Sequence, residues 1–145
     1  MFKTVVRPSK GILVTYPSKQ ISVSINRTVS DVYEFAANPE NMNLWAQGLS
    51  RAKLVKSGDS WEAESPMGNV KIRFAPRNNF GVLDHDVTLP SGAVNHNPLR
   101  VVRNGEGSEV VFTLYRLPKV SEADFEKDQS AVLKDLKALK SILEK

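Results

Sequence analysis

Apolar and polar residues alternate through "QISVSIN" (20–26), with Ile21, Val23 and Ile25 on one face and Ser22 and Ser24 on the other. That is the period of a half-buried strand. "ILVTY" (12–16) either belongs to the same strand or forms a preceding one, and Pro17 marks a break. The period then changes. Val29, Val32, Phe35 and Ala36 fall at helical spacing behind Thr28 and Asp31, which stand at capping-box distance. Asn38-Pro39 ends this helix and opens another, because proline holds the preceding residue extended while itself fitting the first helical position. Met42 and Trp45 lie three apart on the second helix, and Gly48 supplies a stop.

From 51 to 117 the period returns to two, punctuated by turns. "RAKLVK", "WEAES", "VKIRF", "GVLDHDVTL", "VNHNPLRVV" and "SEVVFTLYRL" read as strands, and "NGEG" is a strong hairpin signal. Pro118 ends the series. Ser121 and Asp124 repeat the capping spacing, and a helix is predicted from about 122 to 144 with Phe125, Gln129, Val132, Leu133, Leu136, Leu139, Ile142 and Leu143 on one stripe. Lys127, Lys134, Asp135, Lys137 and Glu144 are expected away from it. At 1.5 Å per residue this helix is about 34 Å long, enough to cross a sheet. The predicted class is α+β: one sheet of about six to seven antiparallel strands, two short helices after the first, and a long C-terminal helix across the concave face.

This order, with "VYEFAANPENMNLWA", resembles the START-like helix-grip superfamily, also called SRPBCC. Val29, Val32, Phe35, Asn38, Pro39 and Trp45 carry the likeness, and "GSEVVFTLYR" before "KDLKALKSILE" is similar to the polyketide cyclase/dehydrase-like branch. It covers residues 20–144; residues 1–19 are an N-terminal extension outside the usual pattern. The resemblance implies a cavity between sheet and long helix that holds a hydrophobic small molecule, with cyclase or dehydratase activity as one use of it. The superfamily also contains activators of the Hsp90 ATPase, so a protein-interaction module is the alternative.

Length and composition set the frame. The 145 residues suit one domain, and 41% hydrophobic with 25% charged is ordinary for a globular chain. There is no cysteine, which excludes disulfides and thiolate chemistry. The net charge of +4 raises nucleic acid as a partner. Lys3, Arg7, Lys10 and Lys19 account for all of it, leaving sixteen charges of each sign in residues 21–145. A nucleic-acid module clusters its cations on the folded core, so no nucleic-acid partner is expected. No apolar run is long enough to span a bilayer, and the N-terminus lacks signal-peptide features, which makes the cytoplasm the expected location.

His85 is the candidate catalytic residue. It shares the parity of Leu83, Val87 and Leu89 and should point inward between outward Asp84 and Asp86. An inward imidazole is either a general acid or base or a core histidine with one hydrogen-bonding partner. Burial should depress its pKa. Arg100 shares the parity of Val94, His96 and Val102; it either faces inward to bind a ligand oxygen or makes an exterior ion pair with Asp84, Asp86 or Glu109. His96 reads as a surface residue. Trp45, Trp61, Phe74 and Tyr115 are candidate cavity walls, although Tyr115 shares the parity of Glu109 and could lie outside. Two histidines without ligand-like spacing give no metal site, no glycine-rich phosphate loop is present, and no cofactor is expected.

Overall fold

A computed structural model describes residues 13–46, 54–65 and 68–145. Residues 1–12 of the leading segment, the expected stop at Gly48, the start of the strand expected at 51 and the centre of the 65–69 turn lie outside the described residues. The order is β1 (Ser18–Ile25), α1 (Val29–Ala36), a 3-10 turn (Pro39–Asn41), α2 (Met42–Trp45), β2 (Val55–Ser57), β3 (Ser60–Ser65), β4 (Gly68–Phe74), β5 (His85–Thr88), β6 (Val94–Asn97), β7 (Leu99–Asn104), β8 (Gly107–Tyr115) and α3 (Glu122–Leu143).

The helix starts follow the capping chemistry. Thr28 Oγ1 accepts from Asp31 N–H at 3.1 Å, Asn38 Oδ1 from Glu40 N–H at 3.0 Å, and Ser121 Oγ from Asp124 N–H at 3.0 Å. Each satisfies a backbone donor that the helix itself cannot.

Among the described residues the strands are eight, in two antiparallel sheets of order β2-β3-β4-β5-β6 and β1-β8-β7, where a single sheet of six to seven was expected. The extra strand and the division share one cause. Pro98 lacks an N–H and interrupts what would be a single strand from 94 to 104. The pairing continues past it: β5 and β6 set His85 opposite Asn97, and the bridge between Val82 and Arg100 keeps the same register. Residues 81–88 and 94–101 therefore form one hairpin that runs from one sheet into the other.

The inward positions are Ile21 and Ile25 of β1, Ala63, Val70 and Ile72 of β3 and β4, Leu83 and His85, Leu99 and Val101 of β7, and Val110 of β8. Helix α3 lies over β1 and β8 and against α2, burying Leu136, Leu139 and Leu143. Its last turn is fastened to the β1–α1 corner. Asn26 N–H donates to Glu144 Oε2 (2.7 Å) and Arg27 Nη1 to the Leu143 carbonyl (2.6 Å). No described helix is long and apolar enough to cross a membrane.

Candidate functional site

The Pro98 interruption organises the chemistry around His85. In a regular antiparallel pair Leu83 and Leu99 would exchange two N–H···O bonds. One is present, from Leu83 N–H to the Leu99 carbonyl at 2.8 Å. In place of the other, Leu99 N–H donates to Asp84 Oδ1 at 3.0 Å, and the Leu83 carbonyl accepts from His85 Nδ1 at 3.0 Å. A carbonyl can only accept, so Nδ1 carries the proton, and the Nε2 of a neutral ring is an acceptor. Among the described residues Nε2 has no hydrogen-bond partner.

Burial pushes the His85 pKa below its ordinary value. The Leu83 carbonyl and then Asp84 oppose the shift without overcoming it, so the ring is neutral at neutral pH. Phe74 packs beside it with ring centroids 5.8 Å apart, and Phe112 meets it nearly edge-on at 6.4 Å. The unfolded chain holds the proton more tightly than the folded one. His85 therefore contributes full stability above its ordinary value of 6.5, and this is lost as the pH falls below 6.5 towards the lower folded value. Chemical denaturation between about pH 7.5 and about pH 5 should show this loss in the wild type and less of it in His85→Phe, with NMR placing the proton on Nδ1. A His85 titration at or above 6.5 would contradict the burial that sets the shift.

Arg100 lies outside. Its guanidinium makes a two-point bridge to Asp84, Nε to Oδ1 at 2.9 Å and Nη2 to Oδ2 at 2.8 Å, and its side chain is half exposed. This corrects the inward reading and matches the exterior ion pair. The parity was set from the wrong face: Val94 and Val102 are 56% and 45% exposed, whereas Leu99 and Val101 are buried. The bridge to Arg100 is also the main reason that Asp84 titrates below the usual aspartate value. His96 is exposed too, its Nδ1 2.6 Å from Asp86 Oδ1.

Two cavities lie in succession along α3. The inner one, about 70 Å³, is lined by Met42, Trp45, His85, Phe112, Val132 and Asp135 among others. Trp45 is only 7% exposed, and its indole Nε1–H is the one buried side-chain polar atom without a hydrogen-bond partner among the described residues. Such a donor costs on the order of 1–3 kcal/mol to leave unpaired. The outer cavity, about 520 Å³, is lined by Tyr16, Asn95, Asn97, Leu114, Tyr115 and Asp128 among others.

The walls of the two follow each other. Phe112 and Leu114 are successive inward positions of β8, Val132 and Asp128 are one turn apart on α3, and His85 of the inner cavity faces Asn97 of the outer one across the β5–β6 ladder. The inner space admits only a small group, whereas the outer one falls within the usual ligand-pocket range of roughly 300–1,000 Å³.

The structure thus brings Trp45 and His85 together in the inner cavity and puts Tyr115 on the outer one. Phe74 touches His85 in an open hollow on the other side, which His85 itself also lines with Asp84, Asp86 and His96. Trp61 is half-buried, packs against the core and lines neither cavity. Two residues escaped the sequence reading. Asp135, expected away from the stripe, is half-buried on the inner cavity wall, and Asp128 lines the outer one. Asp128 was findable, lying one turn before Val132 on the stripe. Among the described residues no three His, Cys, Asp or Glu side chains converge as a metal site would need.

No family model and no curated protein matches the chain. Solved structures do. XoxI of Bacillus cereus is 16% identical with a TM-score of 0.68, over 87% of this chain and 94% of that one. CV1439 of Chromobacterium violaceum is 12% identical with a TM-score of 0.68, over 88% and 98%. DynU16, a protein in the dynemicin biosynthetic locus, is 15% identical with a TM-score of 0.68, over 88% of this chain and 47% of that one. At these identities the likeness establishes the fold, a helix-grip-like α+β arrangement.

Proposed function

We propose that this chain is a START-like small-molecule binding protein that seats an apolar ligand between α3 and β8, the tip of the ligand in the inner cavity and its bulk in the outer one. The observation that carries this reading is the buried Trp45 Nε1–H, unpaired among the described residues, in a cavity that the His85 ring also lines. A ligand oxygen at the tip would accept from Trp45, and a ligand hydroxyl would donate to His85.

The same pair suits one proton transfer of the cyclase or dehydratase type. Neutral Nε2 takes a proton from carbon or oxygen next to a carbonyl, while the indole N–H steadies the oxygen on which charge develops. Arg100, turned outward to Asp84, takes no part. The occurrence of DynU16 in a biosynthetic locus supports ligand handling on this fold without identifying the ligand. The interaction-module reading lacks a comparable observation: Leu44, Phe80 and Val102 are exposed on separate elements, and the exposed run Leu13, Val14 and Tyr16 leads into the outer cavity that Tyr16 lines.

Trp45 and Trp61 are the only tryptophans, so Trp61→Phe leaves Trp45 as the sole reporter. Titration of that variant with a neutral hydroxyanthraquinone should give saturable quenching, weakened about tenfold or more by His85→Phe. Quenching that never saturates, or that His85→Phe leaves unchanged, would remove the ligand from this cavity.

A further inference from the structure

The polar groups of the cleft specify more than an apolar ligand. Neither cavity has a lysine or arginine among its described lining residues. The nearby cation Arg100 is already engaged by both carboxylate oxygens of Asp84. Among the described residues a fatty-acid carboxylate or a phosphate would therefore find no fixed counter-charge.

The outer cavity offers the opposite sign. Asp128 has no ion-pair or hydrogen-bond partner among the described residues, and it lies one turn from a second carboxylate, Asp124. Asp128 is an exposed residue at the cavity mouth, and desolvation by the groups around it, with Asp124 adding to it, holds its carboxyl above the ordinary aspartate range. Tyr16 and Tyr115 line the same space, and aromatic side chains beside a carboxylate are a usual surround of an organic cation. His96 also lines this cavity, but its Nδ1 is directed to Asp86.

At the other end the inner cavity presents the Trp45 N–H, a donor that only an acceptor can satisfy. Asp128 and Leu136, which mark the two cavities on α3, are eight residues apart, so the ends of the cleft are about 12 Å apart along the helix.

We propose that the cleft selects an amphiphilic amine: an apolar body with a protonated nitrogen at Asp128 and an oxygen acceptor at the opposite end for the Trp45 N–H. The inference rests on the cleft being the binding site, and its test separates the two. Decylamine, decan-1-ol and decanoate share one chain and differ only in the head group. Binding to the Trp61→Phe protein is read by calorimetry and by Trp45 fluorescence at neutral pH and low salt.

Decylamine should bind about tenfold more tightly than decanoate, with decanol between them, as expected for one partly exposed ion pair plus the penalty on the anion. Asp128→Asn should bring the amine to the level of the alcohol while leaving alcohol binding intact, which also shows that the variant is folded. Decanoate binding as tightly as the amine, or an amine preference that survives Asp128→Asn, would overturn the amine assignment and leave the cleft reading standing. Absence of binding by all three would overturn both.

Discussion

Deletion of residues 121–145 is expected to leave a chain without a cooperative thermal transition. The deleted helix contributes Leu136, Leu139 and Leu143, none more than 6% exposed, and covers the apolar residues of β1 and β8. Burying each leucine contributes about 1.5–3 kcal/mol, and the sheet residues uncovered with them add a similar sum. Total stability for a domain of this size is about 5–15 kcal/mol, so the loss takes most or all of it. Leu139→Ala alone should cost about 2–5 kcal/mol. Circular dichroism melts check both, and a truncated protein that still melted sigmoidally would show that α3 is not part of the folding unit.

Gly81→Ala should be the most damaging single methyl in the hairpin. Gly81 has φ +71, a conformation that side chains rarely adopt, and a Cβ there would stand 2.1 Å from the Val101 carbonyl oxygen. That oxygen is backbone of β7, held by its pairing with β8 and with residues 81–83, and cannot turn aside. The Gly81 carbonyl also receives Val101 N–H at 2.8 Å, so relieving the clash opens the ladder two residues from the Leu83–Leu99 pair. A loss of about 3 kcal/mol or more is expected from denaturant midpoints, against under about 1.5 kcal/mol for Val82→Ala next to it. A Gly81→Ala loss below about 1 kcal/mol would mean that the two strands do not approach this closely.

Capping spacings and alternating periods were enough to read the order of elements, because Thr28, Asn38 and Ser121 each act within three residues of their partners. The same period put His85 on the inner face, since Leu83 beside it is apolar and buried. It failed on the partner strand for a physical reason. All four residues of β6 line the outer cavity, but the half-buried positions are the polar Asn95 and Asn97, whereas the apolar Val94 is 56% exposed. A rule that equates apolar with inward is inverted where a strand lines a polar pocket, and Arg100 was misplaced with it. Asp135 was missed for a related reason, lying on the flank of the apolar stripe at a position that only the shape of the cavity makes interior. The division at Pro98 depends on how the Asp84 carboxylate and the His85 ring replace one ladder bond, a trade between side chains and backbone that no periodicity carries.

Strand β1 depends on the far end of the chain. It pairs along its whole length with β8, Ser18 opposite Tyr115 and Ile25 opposite Ser108, and its cover is α3. A ribosome releases β1 long before either partner. Until then Ile21, Val23 and Ile25 have nothing to pack on, and the strand edge that will receive β8 stays open to other chains. Closing a loop of that length adds an entropic cost that only the completed ladder repays, so folding waits for α3 and proceeds slowly for a chain of this size. A ribosome stalled short of residue 122 is where this protein is most exposed to aggregation.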